Sequence, residues 1–248
     1  MIRAIAFDAD DTLWHTETLF QETQTRLAEI LGHYAPPEEV QRRLHATEER
    51  NVKVFGYGVK GFTLSMVEAA IEISAGRISA ADIHTIVAMG RGMLEAPMRL
   101  LDDVPQTLAD LRPHYPLYLV TKGDLLDQRN KIDTSGLADH FAGIEVVARK
   151  DPATYRDVFA RCGVDPTAVL MVGNSIPSDV LPVLEVGGWA VHIPYVVTAS
   201  FERHDQDPAH ARYARLGSIR ELPAHVDRIV GGAQTEVLPA LAKTGGRK

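Results

Sequence analysis

The stretch Ala4 to Trp14, AIAFDADDTLW, restricts the fold more than any other part of the chain. Four apolar residues in succession, Ala4 to Phe7, read as a short strand buried on both faces, the pattern of a parallel sheet. The strand delivers Asp8, Asp10 and Asp11, followed by Thr12. Carboxylates this close repel by about 4 kcal/mol per pair at 4 Å and an effective dielectric near 20, so the cluster needs solvent, a cation or a shared proton. Ligands of parallel α/β sheets bind beyond the carboxyl ends of the strands. A plainer reading of Asp10, Asp11 and Thr12 is a polar turn that caps the next helix.

After this strand the pattern is helical for about eighty residues. Glu17 to Leu31 has a broad apolar face and stops at Gly32, while Pro36 and Pro37 open a charged segment through Val54. The glycines at 56, 58 and 61 break that pattern, Phe62 to Ile73 resumes it, and Ser79 with Asp82 resembles a capping box before a last apolar face. From Leu100 the pattern changes. Short apolar runs at Pro116–Val120, Gly143–Val147, Ala168–Val172 and Trp189–Ile193 alternate with helical segments at Val104–Leu111, Leu125–Thr134, Pro152–Cys162 and Asp179–Val186. Alternation at this spacing predicts an α/β fold with a doubly wound parallel sheet. Leu216 to Leu222 is expected as a last edge element, and the tail from Gly231 as frayed. The expected organisation is a sheet domain from residues 1–15 and 100–232, a helical insertion at 16–99 and a C-terminal tail at 233–248.

With 248 residues, 45% of them apolar, the chain can bury a large core and a smaller one besides. The net charge of -7 and the lack of a basic run argue against a nucleic-acid partner. The single cysteine, Cys162, excludes an internal disulfide and suits a reducing compartment. The early apolar run is short for a signal peptide and no segment reaches membrane-span length, so no membrane partner and a cytoplasmic location are expected. Monomer and homodimer both remain open.

Polar residues fall at the strand ends. The first strand is followed by Asp8 and Asp10, the second by Thr121, Lys122 and Gly123, the third by Arg149 and Lys150, and the fourth by Gly173, Asn174, Ser175 and Asp179. In a parallel sheet these turns share one edge and converge on one crevice.

Taken in order, DADDT at Asp8–Thr12, TKG at Thr121–Gly123, Lys150 in ARKDP and GNSIPSD at Gly173–Asp179 resemble the four motifs of the haloacid dehalogenase superfamily, in its phosphatase branch. The helical insertion sits where that family places a cap after the first strand. The resemblance implies a Rossmann-like core that hydrolyses a small phosphorylated metabolite. Asp8 would be the nucleophile, forming an aspartyl-phosphate, and Asp10 the general acid and then base, with a pKa pushed upward by its crowded neighbours. Lys150 would offset the charge of nucleophile and phosphoryl group. Thr121 and Gly123 would bind phosphate oxygens, and Lys122 is open between a second cation and a solvated surface lysine. Mg²⁺ is the implied cofactor, held by Asp8, Asp10 and the residue after the last glycine, with Asp179 as a further candidate.

Here the chain departs from the family pattern, because that last position is Asn174 rather than an acid. A dehalogenase is disfavoured by Asp10, since a halide leaves without a proton; a phosphoryl mutase and a non-catalytic phosphate-responsive protein remain alternatives. Of the other residues, His15 is expected at the surface or against the insertion, Cys162 as a small buried hydrophobe and Trp14 at the entry to the insertion. An amide ligates Mg²⁺ without bringing charge, so Asn174→Asp should tighten Mg²⁺ in a titration of activity; unchanged or weaker apparent affinity would remove Asn174 from the ligand set.

Overall fold

The computed structural model describes residues 1–197, 204 and 206–235, the last four without their side chains. Its centre is a six-stranded, all-parallel sheet of order β3-β2-β1-β4-β5-β6. The strands are β1 (Ala4–Phe7), β2 (Leu117–Lys122), β3 (Gly143–Val147), β4 (Val169–Gly173), β5 (Trp189–His192) and β6 (Tyr213–Arg215). The helices are α1 (Glu17–Leu31), α2 (Pro37–Phe55), α3 (Val59–Ile73), α4 (Ala80–Leu94), α5 (Val104–Leu111), α6 (Leu125–Ser135), α7 (Pro152–Arg161), α8 (Leu181–Glu185) and α9 (Leu222–Thr235).

The central strands are apolar on both faces because both faces are covered. Ile5 and Phe7 of β1 and Leu170 and Val172 of β4 pack into one core with Val104 and Leu108 of α5 and Val226 of α9. Their alternates Ala4, Ala6, Val169 and Met171 pack on the other side against Tyr155, Val158 and Phe159 of α7. Side chains on a strand point alternately to either face, so two cores on one strand require apolar residues at every position. Strand order runs outward in one direction from β1 through β2 and β3 and in the other through β4 and β5. The crevice between β1 and β4 is therefore the topological switch point, where such sheets bind ligands.

Helices α1 to α4 have a hydrophobic core of their own, with Leu27, Leu31, Leu44, Phe62, Met66 and Ile86 at its centre. The chain leaves for them and returns side by side: Trp14 bridges to Leu100, His15 N–H donates to the Arg99 carbonyl at 2.9 Å, and Leu101 N–H to that of Leu13 at 2.9 Å. At the start of α4 the Ser79 hydroxyl accepts from Asp82 N–H at 3.0 Å, the cap expected from the sequence.

Three expectations are corrected. The edge strand is Tyr213–Arg215, and Leu216–Leu222 instead contains a single 3₁₀ turn at Ile219–Glu221, closed by a Ser218–Glu221 capping box. Beyond it α9 continues through Gly231 to Thr235, so the fraying expected from Gly231 is not seen there; residues 236–248 lie outside the described set. The segment expected as one helix at Asp179–Val186 is a π-helical turn at Ile176–Val180 followed by the short α8. No described helix is long and apolar enough to cross a membrane.

Candidate active site

Each strand end arrives where parallel register puts it. Phe7 pairs with Leu119 and with Val172, so Asp8, Thr121 and Asn174 leave three adjacent strands at one edge. All three line a cavity of about 800 Å³, together with Asp10, Lys122, Lys150, Ser175 and Asp179.

Lys150 is the junction of the site. Its ammonium, buried, contacts Asp8 Oδ1 and lies 2.6 Å from Asp179 Oδ1. The other Asp179 oxygen accepts from Ser175 N–H at 3.0 Å, and Tyr155, rooted in the core, donates its hydroxyl to the Ser178 carbonyl at 3.0 Å. Gly173 makes this possible: a β-carbon there would lie 2.2 Å from Asp179 Oδ2. Both Asp179 oxygens are thus engaged, and the carboxylate expected as a further metal ligand is the one that holds Lys150. Burial works to lower the Lys150 pKa, but the Asp179 and Asp8 carboxylates outweigh it and hold it well above the ordinary lysine value.

Asp8 carries the cost of two carboxylates around one ammonium. Burial raises its pKa, Lys150 opposes, Asp179 adds to the rise, and the carboxyl settles at about 6. Its other oxygen accepts from the Thr12 hydroxyl at 3.3 Å.

One end of the Asn174 amide lies 3.1 Å from Asp8 Oδ2, 3.2 Å from the Asp10 carbonyl and 3.2 Å from Thr12 Oγ1. With the NH₂ at that end the amide serves these acceptors directly. With its oxygen there, it accepts from the Thr12 hydroxyl and forms, with Asp8 and the Asp10 carbonyl, an edge of oxygens suited to a cation. In an octahedral Mg²⁺ shell neighbouring ligand oxygens are about 2.9 Å apart, so the donor set Asp8, Asp10 carbonyl and Asn174 fits the ion in type and spacing.

A family described as haloacid dehalogenase-like hydrolase matches residues 2–187. The chain belongs to that family. Among solved structures, a haloacid dehalogenase-like family hydrolase from Xanthomonas campestris is 39% identical with a TM-score of 0.85, over 95% of this chain and 94% of its own. An N-acylneuraminate-9-phosphatase of Mus musculus is 33% identical over 95 residues, 36% of this chain, and the chain spans only 38% of that relative's length. The Homo sapiens N-acylneuraminate-9-phosphatase is 24% identical over 202 residues, covering 75% of this chain and 79% of its own.

In this haloacid dehalogenase-like hydrolase the acidic turn divides its work. Asp11, in the left-handed region at φ 61, accepts from the backbone N–H groups of Thr16 at 2.8 Å and Glu17 at 3.0 Å and so caps α1, the plainer role read from the sequence. Asp10 does not behave as crowding predicts. Burial would raise its pKa, but Lys131 at 3.0 Å, Gln128 at 2.7 Å, the Thr16 hydroxyl at 2.8 Å and the Trp14 indole at 2.7 Å together hold it below the usual value. Lys131 and Gln128 stand on α6, outside every motif, and nothing in the sequence marks them. Trp14 is fully buried in the sheet core rather than merely at the entry to the helices.

Gly123 bears on the contact between Gln128 and Asp10. It has φ 145, lies outside the cavity lining, and a β-carbon there would meet Gln128 Nε2 at 2.9 Å. Its freedom makes room for the Gln128 amide that binds Asp10. Lys122 does reach the cavity, with its ammonium 2.9 Å from Ser178 Oγ and 4.6 Å above the Tyr57 ring in the loop between α2 and α3. Thr121 lines the cavity as expected. His15 pairs with Tyr195 at 2.5 Å, outside that lining.

The Asp8 carboxyl gives the site a pH signature. Its pKa rises on folding from the ordinary 3.8 to about 6, so the folded state binds more protons there and its cost is absent below pH 3.8 and grows as pH rises through 6. Asp8→Asn should raise the melting temperature at pH 7.5 and flatten the loss between pH 4 and 7. A fall at pH 7.5 would show that the Lys150 attraction outweighs burial.

Proposed function

We propose that this hydrolase is a phosphatase of small phosphorylated metabolites, working by phosphoryl transfer to Asp8. The observation that carries the reading is the meeting of Asp8, Lys150, Thr121 and Asn174, from four separate parts of the chain, around one cavity. A phosphate dianion approached by a carboxylate faces repulsion on the order of 8 kcal/mol at 4 Å and intermediate dielectric, and only supplied positive charge removes it. Lys150 provides that charge from the Asp8 side and Lys122 from the rim beside Ser178. The activity of the named relatives, N-acylneuraminate-9-phosphatases, supports a sugar-derived phosphate as the substrate class.

In the first step an Asp8 oxygen forms a bond to phosphorus as the bond to the alcohol oxygen breaks, and Asp10 gives that oxygen its proton. In the second a water attacks the aspartyl-phosphate, its proton passes to Asp10, and inorganic phosphate leaves with Asp8 restored. The Asp10 seen here, ionised against Lys131 and Gln128, is the base of the second step. Its protonated form for the first requires that those contacts loosen.

Asp8, the Asp10 carbonyl and Asn174 are the residues that would hold Mg²⁺. Bound there, the ion supplies charge neutralisation to the phosphoryl oxygens. Residues 16–99 serve as the cap over a core of residues 1–15 and 100–232. Phe20, Leu44, Tyr57 and Phe62 of that cap face the same cavity as Asp8, a placement suited to excluding bulk water.

The test is release of phosphate from nitrophenyl phosphate with Mg²⁺ and with chelator. Asp8→Asn should lower turnover by about a thousandfold or more, since a missing nucleophile leaves only binding and electrostatics, and chelator should abolish it. Turnover equal in wild type and Asp8→Asn would remove Asp8 as nucleophile.

A further inference from the structure

The wall of the cavity opposite the strand ends holds a carboxyl that phosphoryl transfer to Asp8 does not use. Gln41, His45, Glu48 and Val52 of α2 all line the cavity, and their spacing puts them on one helix face. Gln21 and Gln24 of α1 and Ser65 of α3 add neutral polar groups to the same wall. Glu49 is paired with His45 at 3.4 Å. For Glu48 no hydrogen bond or ion pair is formed among the described residues, although the residue is partly buried. Burial alone raises its carboxyl to about 7. A protein that keeps an unpaired carboxyl inside a cavity accepts a cost that a bound partner offsets.

The cations of the cavity point to which partner. Lys150 is engaged by Asp8 and Asp179, Lys131 by Asp10 and Asp127, and Lys122 contacts Ser178. Of the residues lining the helical wall only Lys53 is a lysine, and it is exposed, while Glu17, Glu48 and Glu49 line the same wall; no arginine lines the cavity among the described residues. An unpaired carboxyl among neutral polar groups favours a ligand rich in hydrogen-bond donors.

We propose that Glu48 is a specificity-determining residue that accepts hydrogen bonds from the alcohol portion of the substrate, selecting phosphates of donor-rich alcohols such as sugars and amino sugars. This rests on the phosphatase reading and adds to it the nature of the leaving group. A cavity of about 800 Å³ has room for a phosphorylated hexose.

The experiment compares kcat/KM for glucose phosphate, glucosamine phosphate and nitrophenyl phosphate in wild type, Glu48→Gln and Glu48→Leu. Glu48→Leu, which removes the acceptor, should lower kcat/KM for the two sugar phosphates relative to nitrophenyl phosphate by about tenfold, the scale of one hydrogen bond to a charged group. Glu48→Gln separates the two donors: an ammonium contact loses its advantage with the charge, whereas a hydroxyl contact survives on the amide oxygen. Equal effects of Glu48→Leu on all three substrates would overturn the proposal. If nitrophenyl phosphate is not cleaved at all, the phosphatase reading falls by itself. The subsite is then read from calorimetric affinities of the same sugar phosphates, where equal values for wild type and Glu48→Leu overturn it.

Discussion

The site depends on one buried ammonium shared between two carboxylates. Lys150 lies between Asp8 and Asp179 in a region closed to solvent, and taking three charges out of water is repaid only when each has a near partner. Asp179 is fixed by the Ser175 backbone and sits against a glycine that tolerates no side chain, so the Lys150–Asp179 arm is rigid. Asp8 is the arm whose charge is least well supported. An added phosphoryl group on Asp8 would place its oxygens beside a cation already in position, without reorganisation at the moment of reaction.

The sheet makes this arrangement possible because parallel register fixes where each strand ends. Asp8 and Asn174 stand on either side of the switch point, and Thr121 one strand away. Helices α1 to α4, with a separate core, contribute the opposite wall through a paired two-strand connection at Trp14 and Leu100. The cavity therefore has two walls of different origin: strand-end groups of the sheet on one side and side chains of α1 to α3 on the other.

The sheet and its strand-end residues are legible in the sequence because a strand buried on both faces is an unbroken apolar run, and a polar residue that ends it is conspicuous. Tyr213–Arg215 is hidden for the opposite reason: three residues, half-exposed on an edge strand, leave no apolar run to read. The state of Asp10 is misjudged from sequence because crowding of acids is visible there, while Lys131 and Gln128 lie more than a hundred residues away on a helix with no motif. The closeness of Gly123 to the Gln128 side chain is likewise invisible in the sequence, because the strand-end position does not show what packs beside it. Glu48 is unreadable in principle: among the acids of α2 nothing marks the one that turns inward without a partner, and only the packing of α1 to α3 around the cavity singles it out.

The central claim is that Asp8 takes the phosphoryl group. Mixing the protein and Mg²⁺ with radiolabelled phosphate ester, quenching in acid within the first turnover and mapping the labelled peptide measures this directly. The account predicts label on the peptide that contains Asp8, released by hydroxylamine as an acyl phosphate is. Label on any other residue, or steady turnover with no labelled protein at any quench time, would contradict it.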